Sequence, residues 1–260
     1  MDRKFVIIFG YGAFGQRAYT ILRENYRCLV IDIEFPPRYK EQDEFLFFPQ
    51  INQIFWRTIE LLNPKTDIFL RGSAAELIQC LNRITPVWII ATAPIHLMDS
   101  VVQILAEDYL PHIRLTEAKT PTLGGEVPPF RAHHGSSIYL SYAAPNETCP
   151  DNCLGPKKFC PIFEREKQLP LSEWIEKNNP SDIKLFLFKS IQIAPGLGGI
   201  RGRHYFETIR KFHQFLDSEK ESLESKGITD KTICIATACN CHGVLDFHSL
   251  KRTKLIRKTE

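Results

Sequence analysis

The sequence predicts an α/β protein built on a parallel, doubly wound sheet, followed by a further α/β portion and a cysteine-rich loop with the composition of a metal site. Three observations carry that expectation. Apolar runs of strand length alternate with segments of helical periodicity through the first 110 residues, the pattern of a parallel sheet covered on both faces. A glycine-rich turn follows the first of those runs. Six of the eight cysteines fall in the second half of the chain, three of them in a loop poor in core residues.

The opening run, Phe5-Val6-Ile7-Ile8-Phe9, breaks into Gly10-Tyr11-Gly12-Ala13-Phe14-Gly15. Phe14, Ala18, Ile21 and Leu22 then recur at helical spacing, and Cys28-Leu29-Val30-Ile31 forms a second apolar run ending in Asp32. This is a strand–helix–strand unit with G-x-G-x-x-G at its first turn, the arrangement of a Rossmann-type dinucleotide site. Gly10 permits a sharp exit from the strand, Gly12 lets a pyrophosphate approach the backbone, and Gly15 lets the helix lie close to the sheet. Ala13 and Phe14 open that helix, whose free N–H groups and dipole favour phosphate. Asp32 is placed to accept hydrogen bonds from a ribose 2′-hydroxyl and would repel a 2′-phosphate, so NAD(H) is expected over NADP(H). Another adenosine ligand, such as S-adenosylmethionine, or a vestigial site fits the same pattern.

Farther along, Glu34 to Glu44 reads as a loop and Phe45 to Phe48 as a short strand. Ile51, Ile54, Phe55, Ile59 and Leu62 mark a helix closed by Asn63-Pro64. Asp67 to Leu70 is a strand, Ser73-Ala74-Ala75-Glu76 has capping-box spacing ahead of a stripe of Leu77, Ile78, Leu81 and Ile84, and Pro86 to Thr92 is a further strand. A helix follows through Leu97, Val101, Ile104 and Leu105. The run Phe69 to Glu76, then a short helix, then a strand ending in Ile90-Ala91-Thr92-Ala93, resembles the N-terminal NAD-binding domain of the TrkA/RCK type found in potassium-transport regulators. The resemblance covers roughly residues 1–110 and implies a nucleotide-binding regulatory module; the family's G-D-A-T-like segment stands here as Gly72-Ser73-Ala74.

From Pro111 the rhythm changes, so the expected division is 1–110, 111–250 and a basic tail, 251–260. Pro121, Gly124-Gly125, Pro128-Pro129 and His133-His134-Gly135 predict loops before a strand at Ser137 to Tyr142, with the two histidines a solvated pair. Ala144 to Leu171 lacks hydrophobic periodicity. Ile183 to Ile193 is a long strand candidate, and Thr232 to Ala236 the last strand. Between them Gly196, Gly198, Gly199, Arg201 and Gly202 read either as a second anion loop or as a glycine turn for close packing, ahead of a helix that runs to Gly227.

Cys28, Cys80 and Cys234 lie singly in apolar segments and are expected in the core. Cys149, Cys153 and Cys160, two of them followed by proline, share one loop, and Cys239 and Cys241 flank Asn240 just before His242. Clustered thiolates repel unless a metal turns that repulsion into coordination. The expected ligands are Cys149, Cys153, Cys160 and one of Cys239 or Cys241. The spacing departs from the paired knuckles of structural zinc and leans towards an iron–sulfur cluster, with zinc and unliganded thiols as the other readings.

The net charge of +3 is concentrated at the end: Lys251, Arg252, Lys254, Arg257 and Lys258 stand against Glu260 alone. The body is nearly neutral, which argues against nucleic acid as a partner. No apolar run is long enough to insert in a membrane, and no leader is evident, so a cytoplasmic protein is expected. The functional expectation is an NAD(H)-binding redox protein, an NAD-dependent oxidoreductase if it is an enzyme, that carries a cysteine-bound cluster and works as a homodimer or with a redox-protein partner. The alternatives are a non-enzymatic NAD or redox sensor of TrkA/RCK type and a zinc-stabilised subunit of a redox complex.

Overall fold

A computed structural model describes residues 4–37, 45–61, 66–123, 128–134, 136–226 and 228–252. The expectations for residues 38–44 of the first loop, for Leu62, Asn63-Pro64, Gly124-Gly125, Gly135 and Gly227, and for the tail beyond Arg252 lie outside these residues. No helix among the described residues is long and apolar enough to cross a membrane.

The first elements follow the predicted alternation: β1 (Phe5–Phe9), α1 (Ala13–Leu22), β2 (Arg27–Asp32), β3 (Phe45–Phe48), α2 (Gln53–Leu61), β4 (Asp67–Arg71), α3 (Ala74–Leu81) and β5 (Trp88–Ala91). The strands lie in the order β3-β4-β2-β1-β5, all parallel. Val6, Ile7 and Ile8 of β1 and Leu29, Val30 and Ile31 of β2 are fully buried, as expected of strands covered on both faces. The capping box forms at α3: Ser73 Oγ accepts from the Ala75 N–H, and the Glu76 carboxylate accepts from the Ser73 N–H at 2.6 Å. Two helix faces differ from the apolar pattern. In α1 the buried residues are Gly15, Ala18, Tyr19 and Leu22, while Phe14 is exposed; in α2 Phe55 is buried and Ile54 is exposed.

The chain continues as α4 (Leu97–Tyr109), β6 (Ile113–Glu117), β7 (Phe130–His134), β8 (Ser137–Ser141), β9 (Phe159–Cys160), β10 (Arg165–Glu166), α5 (Leu171–Asn178), β11 (Ile183–Ala194), β12 (Leu197–Arg201), α6 (Gly202–Lys226), β13 (Ile228–Ala238) and β14 (His242–Arg252). It divides into two compact units: Met1–Leu97 with Leu197–Arg203, and Met98–Gly196 with His204–Glu260. The division therefore falls some fourteen residues before the composition change at Pro111. The reason is a buried bond: Asp99 in α4 meets His248 of β14 at 2.6 Å, which ties that helix into the second unit. In the first unit β12 adds to β5 in the antiparallel sense.

The second unit corrects the expectation of a purely parallel sheet. Only β11 and β13 pair in parallel; β13–β14, β14–β8, β14–β6 and β7–β8 are antiparallel, so the architecture is α/β with mixed strands. The strand expected to be last is followed by another, β14, that occupies a central position. It runs through Lys251 to Arg252, into the residues expected to be tail. Its buried Asp246 accepts from Ser137 Oγ at 2.7 Å, and its buried His248 meets Asp99 through Nε2 while Nδ1 has no hydrogen-bond partner among the described residues; these bonds hold the polar face of the strand in the interior. Ile138, Leu140, Ile175, Leu187, Leu245 and Phe247 form the apolar core around it.

Candidate metal centre and nucleotide site

Each glycine of the first turn has a separate steric reason. Gly10 has φ +96°, and a Cβ there would lie 2.6 Å from the Ala93 nitrogen; a Cβ on Gly15 would lie 2.0 Å from the Gly10 carbonyl oxygen. Gly12, in contrast, has no atom within 4 Å of where a Cβ would stand, so space is open above it at the start of α1. The turn is fixed from below: Gly10 N–H donates to Ile31 O at 2.8 Å and Thr92 Oγ1 donates to Gly10 O at 2.8 Å. The ring of Tyr11 sits edge-on to Phe45 and Phe69. Asp32 accepts from the Tyr11 N–H at 2.5 Å and from the Glu34 N–H at 3.2 Å. A carboxylate offers about four acceptor positions, so capacity remains for a ribose hydroxyl. The first turn of α1 carries no acidic residue, and its N-cap, Gly12, makes no side-chain cap hydrogen bond. The residues present fit a dinucleotide phosphate.

The cysteine centre is assembled in the second unit from two stretches. One is the loop after β8. Arg165 holds it, donating to the Tyr142 carbonyl and, as a two-pronged pair, to Glu147 at 2.7 and 2.9 Å. The small β9–β10 hairpin carries Cys160 on one strand and leads into Lys167 after the other. Cys153 O accepts from Gly196 N–H and Gln192 Nε2, both at 2.7 Å. Those bonds order a stretch that has no apolar core of its own. The second stretch is the tight loop from β13 to β14, where Cys239 N–H donates to His242 O at 2.9 Å and Asn240 Nδ2 donates to Gly155 O at 2.8 Å. The first free N–H groups of α5, Leu171 and Ser172, donate to Asn240 O and Cys239 O, fixing that loop against the helix.

These contacts bring all five predicted cysteines together with His242. The Cys149 Sγ is 3.6 Å from His242 Nε2, and the Cys239 sulfur accepts from the Cys241 and His242 N–H groups at 3.4 Å. Burial, reinforced by Cys153, Cys241 and Cys160, pushes the Cys149 thiol up to about 11. Cys241 is also raised, chiefly by burial, although Lys167 opposes this. Burial works against the Cys239 thiolate too, yet hydrogen bonds from His242 and Cys241 outweigh it and bring that thiol below its ordinary value. Lys167 is itself buried, with Nζ 2.8 Å from Cys241 Sγ and 2.6 Å from Pro156 O. Among the described residues no three of these sulfur and imidazole atoms converge within 4.8 Å of one another. A single zinc with Zn–S bonds of about 2.3 Å would draw its sulfurs to roughly 3.8 Å apart. A cluster that gives each thiolate its own iron would space them more widely.

The remaining site expectations separate cleanly. Of the two readings of the second glycine stretch, the geometry accords with close packing: Gly198, Gly199 and Arg201 lie in β12, and Arg201 stacks over Trp88. The N–H groups of Gly196 and Gly202 are spent on Cys153 O and Val87 O. A Cβ on Gly202 would fall 1.9 Å from Pro86 O, so that glycine serves close packing. Cys28, Cys80 and Cys234 are fully buried, and His133 and His134 are exposed on β7. Sequence reasoning missed Lys167 and the Arg165–Glu147 pair. The available signal was their position inside a loop without apolar periodicity, where charged side chains are the remaining means of holding the chain.

Residues 97–251 match the model of the AF_1314_C family, described as "Uncharacterized protein, C-terminal domain". The chain belongs to that family. The matched span begins within one residue of the second unit and includes all five clustered cysteines. An uncharacterized protein of Archaeoglobus fulgidus is 27% identical over 246 residues, covering 95% of this chain and 99% of that protein. No solved structure matches.

Proposed function

We propose that this member of the family is an NAD(H)-binding redox protein whose second unit holds an iron–sulfur cluster. The observation that carries the reading is the meeting of five thiols, from stretches some eighty residues apart, beside a buried ammonium. Cys149, Cys153, Cys160 and Cys239 are the ligand set the geometry favours, because Cys241 is engaged by Lys167. The Lys167 charge and the backbone N–H groups on Cys239 would stabilise a net-negative centre. The first unit is read as a Rossmann-type domain, with the pyrophosphate over Gly12 at the start of α1 and the ribose on Asp32.

A bound cluster would supply one-electron chemistry. Hydride leaves NADH as an electron pair, so exchange between the two needs a partner able to divide it, such as a flavin or a flavoprotein. Protein purified without oxygen should be brown, absorb near 400 nm and hold about four irons with acid-labile sulfide. A colourless protein with about one zinc would replace the cluster by a structural ion. Titration with NADH, compared with NADPH and with Asp32→Asn, tests the first unit independently. Saturable binding that favours NADH and weakens about tenfold in the variant is expected, since one hydrogen bond to a charged group is worth about 1.5 kcal/mol or more. Binding without turnover of any acceptor would favour the sensor over the oxidoreductase.

A further inference from the structure

Beside the cysteine centre, and wholly within the second unit, lies a cavity of about 290 Å³ that has Cys149 and His242 in its wall. Its size is at the lower end of the range for small-molecule pockets, ~300–1,000 Å³. Strand register decides which side chains of the sheet face it. Phe130 pairs with Ser141, Ala132 with Tyr139 and Ser141 with His242, so these residues share one face. Arg131 pairs with buried Leu140 on the other face. The carboxylate in the lining, Glu147, has both oxygens bonded to Arg165, and one also accepts from the Ala144 N–H. The described wall thus offers an anion no lysine or arginine head group, and a cation no free carboxylate. What it offers is hydroxyl hydrogen. The hydroxyls of Tyr139 and Thr148 make no hydrogen bond among the described residues. Ser141 Oγ accepts from the Ala143 N–H at 2.9 Å, which leaves its own hydrogen to donate.

We infer that this cavity binds a small quinone, as the electron acceptor of the cysteine centre. A neutral ring suits a wall without an uncompensated charge, because a charged ligand would be desolvated there with no partner. The rings of Phe130 and Tyr139, with Pro145 and Ala143, supply apolar surface against which a flat aromatic body packs. Carbonyl oxygens on that body would accept from the hydroxyls of Tyr139, Ser141 and Thr148. The same molecule would lie against the Cys149 sulfur and the His242 imidazole, which are 3.6 Å apart, and so in contact with a ligand of the proposed cluster. Reduction of a quinone to its hydroquinone takes two electrons, which the reduced centre delivers singly in two turns, and two protons from water; no bond to the protein forms or breaks. The redox role rests on the iron–sulfur reading, while the binding depends on the cavity alone.

The test uses the full chain, purified without oxygen, with iron, sulfide and zinc measured on each sample. The probe is duroquinone, whose ring carbons all carry methyl groups or oxygen and so resist addition of thiols. Its binding is followed by equilibrium dialysis, with benzoate and p-xylene as competitors. Saturable binding at one site per chain is expected, with both competitors at least tenfold weaker. Tyr139→Phe keeps the ring and removes one donor, and should weaken duroquinone about three- to tenfold. Ala132→Trp stands opposite Tyr139 on the same face, fills the cavity and should abolish binding. Both positions are exposed, so both variants should melt as the parent does. When protein reduced with dithionite and then desalted is mixed with duroquinone, the oxidised absorption near 400 nm should return, at least tenfold more slowly in Ala132→Trp. Equal binding of benzoate or p-xylene, unchanged affinity in Ala132→Trp, or no saturable binding would each overturn the inference. Metal content separates the two readings. A cluster-loaded protein that ignores duroquinone leaves the centre and removes its acceptor, and binding to a protein without iron leaves the pocket and removes its redox role.

Discussion

The glycine turn of the first unit and the cysteine loops of the second solve the same problem, holding a ligand-sized arrangement of groups, by opposite means. The turn is made from backbone. Its shape is set by the missing Cβ atoms of Gly10 and Gly15 and by hydrogen bonds to Ile31 and Thr92. The cysteine loops are made from side chains, with Arg165, Glu147, Lys167 and Asn240 tying together stretches that have little apolar surface to bury. The turn holds its shape by backbone contacts alone. The side-chain site crowds partly buried thiols that raise one another, as Cys149 reports, a repulsion that the proposed metal would relieve.

The largest expected effect tests the charged half of that contrast. Lys167→Met removes a buried ammonium while leaving its length and apolar stem, and should destabilise the second unit by about 2–3 kcal/mol, the cost of leaving the buried Pro156 carbonyl and Cys241 sulfur without their donor. Denaturant unfolding followed at Trp174 would measure it. A loss below about 1 kcal/mol would mean that the loops are held without the ammonium. The counterpart in the first unit is Gly15→Ala. Its Cβ has no room against the Gly10 carbonyl, and a cost of about 1–3 kcal/mol is expected from the forced backbone shift. Gly12→Val meets open space; it should leave the melting temperature nearly unchanged and weaken NADH more than tenfold. Equal stability loss from both substitutions would break the separation between packing and ligand glycines.

Smaller effects sharpen it. Ser73→Ala removes the oxygen that caps α3 and should cost about 1 kcal/mol in thermal unfolding, with no change in metal content. In the second unit, His204 is held neutral: burial lowers its affinity for a proton, and Nε2 faces the Lys189 N–H at 3.0 Å. A histidine whose folded value is depressed contributes stability that is present above the unfolded value, about 6.5, and is lost as pH falls towards the folded one. Stability of the second unit should therefore decline from pH 7 to pH 5, and the decline should be shallower in His204→Gln. An unchanged slope would exclude His204 as its source.

What could be read in the residues was whatever depends on neighbours in sequence. The β1–α1–β2 unit, the capping box at Ser73, the core cysteines and the grouping of Cys149, Cys153 and Cys160 are all local patterns, set by periodicity, glycine sterics and hydrogen bonds across a few residues. Local pattern was silent on β6, β7 and β14, because those strands are short or carry polar residues inward and are justified only by distant partners. Asp246 needs Ser137, and His248 needs Asp99, 149 residues away. For the same reason the glycines around Gly198 read equally as an anion cradle or a packing turn until β12 paired with β5 through Ile200 and Arg201. The residues suggested that one of Cys239 or Cys241 joins the earlier three; that both do, with Lys167 among them and an open cavity beside Cys149, was decided by tertiary structure. Charges and thiols act through space over several ångströms, and that distance has no fixed relation to separation along the chain.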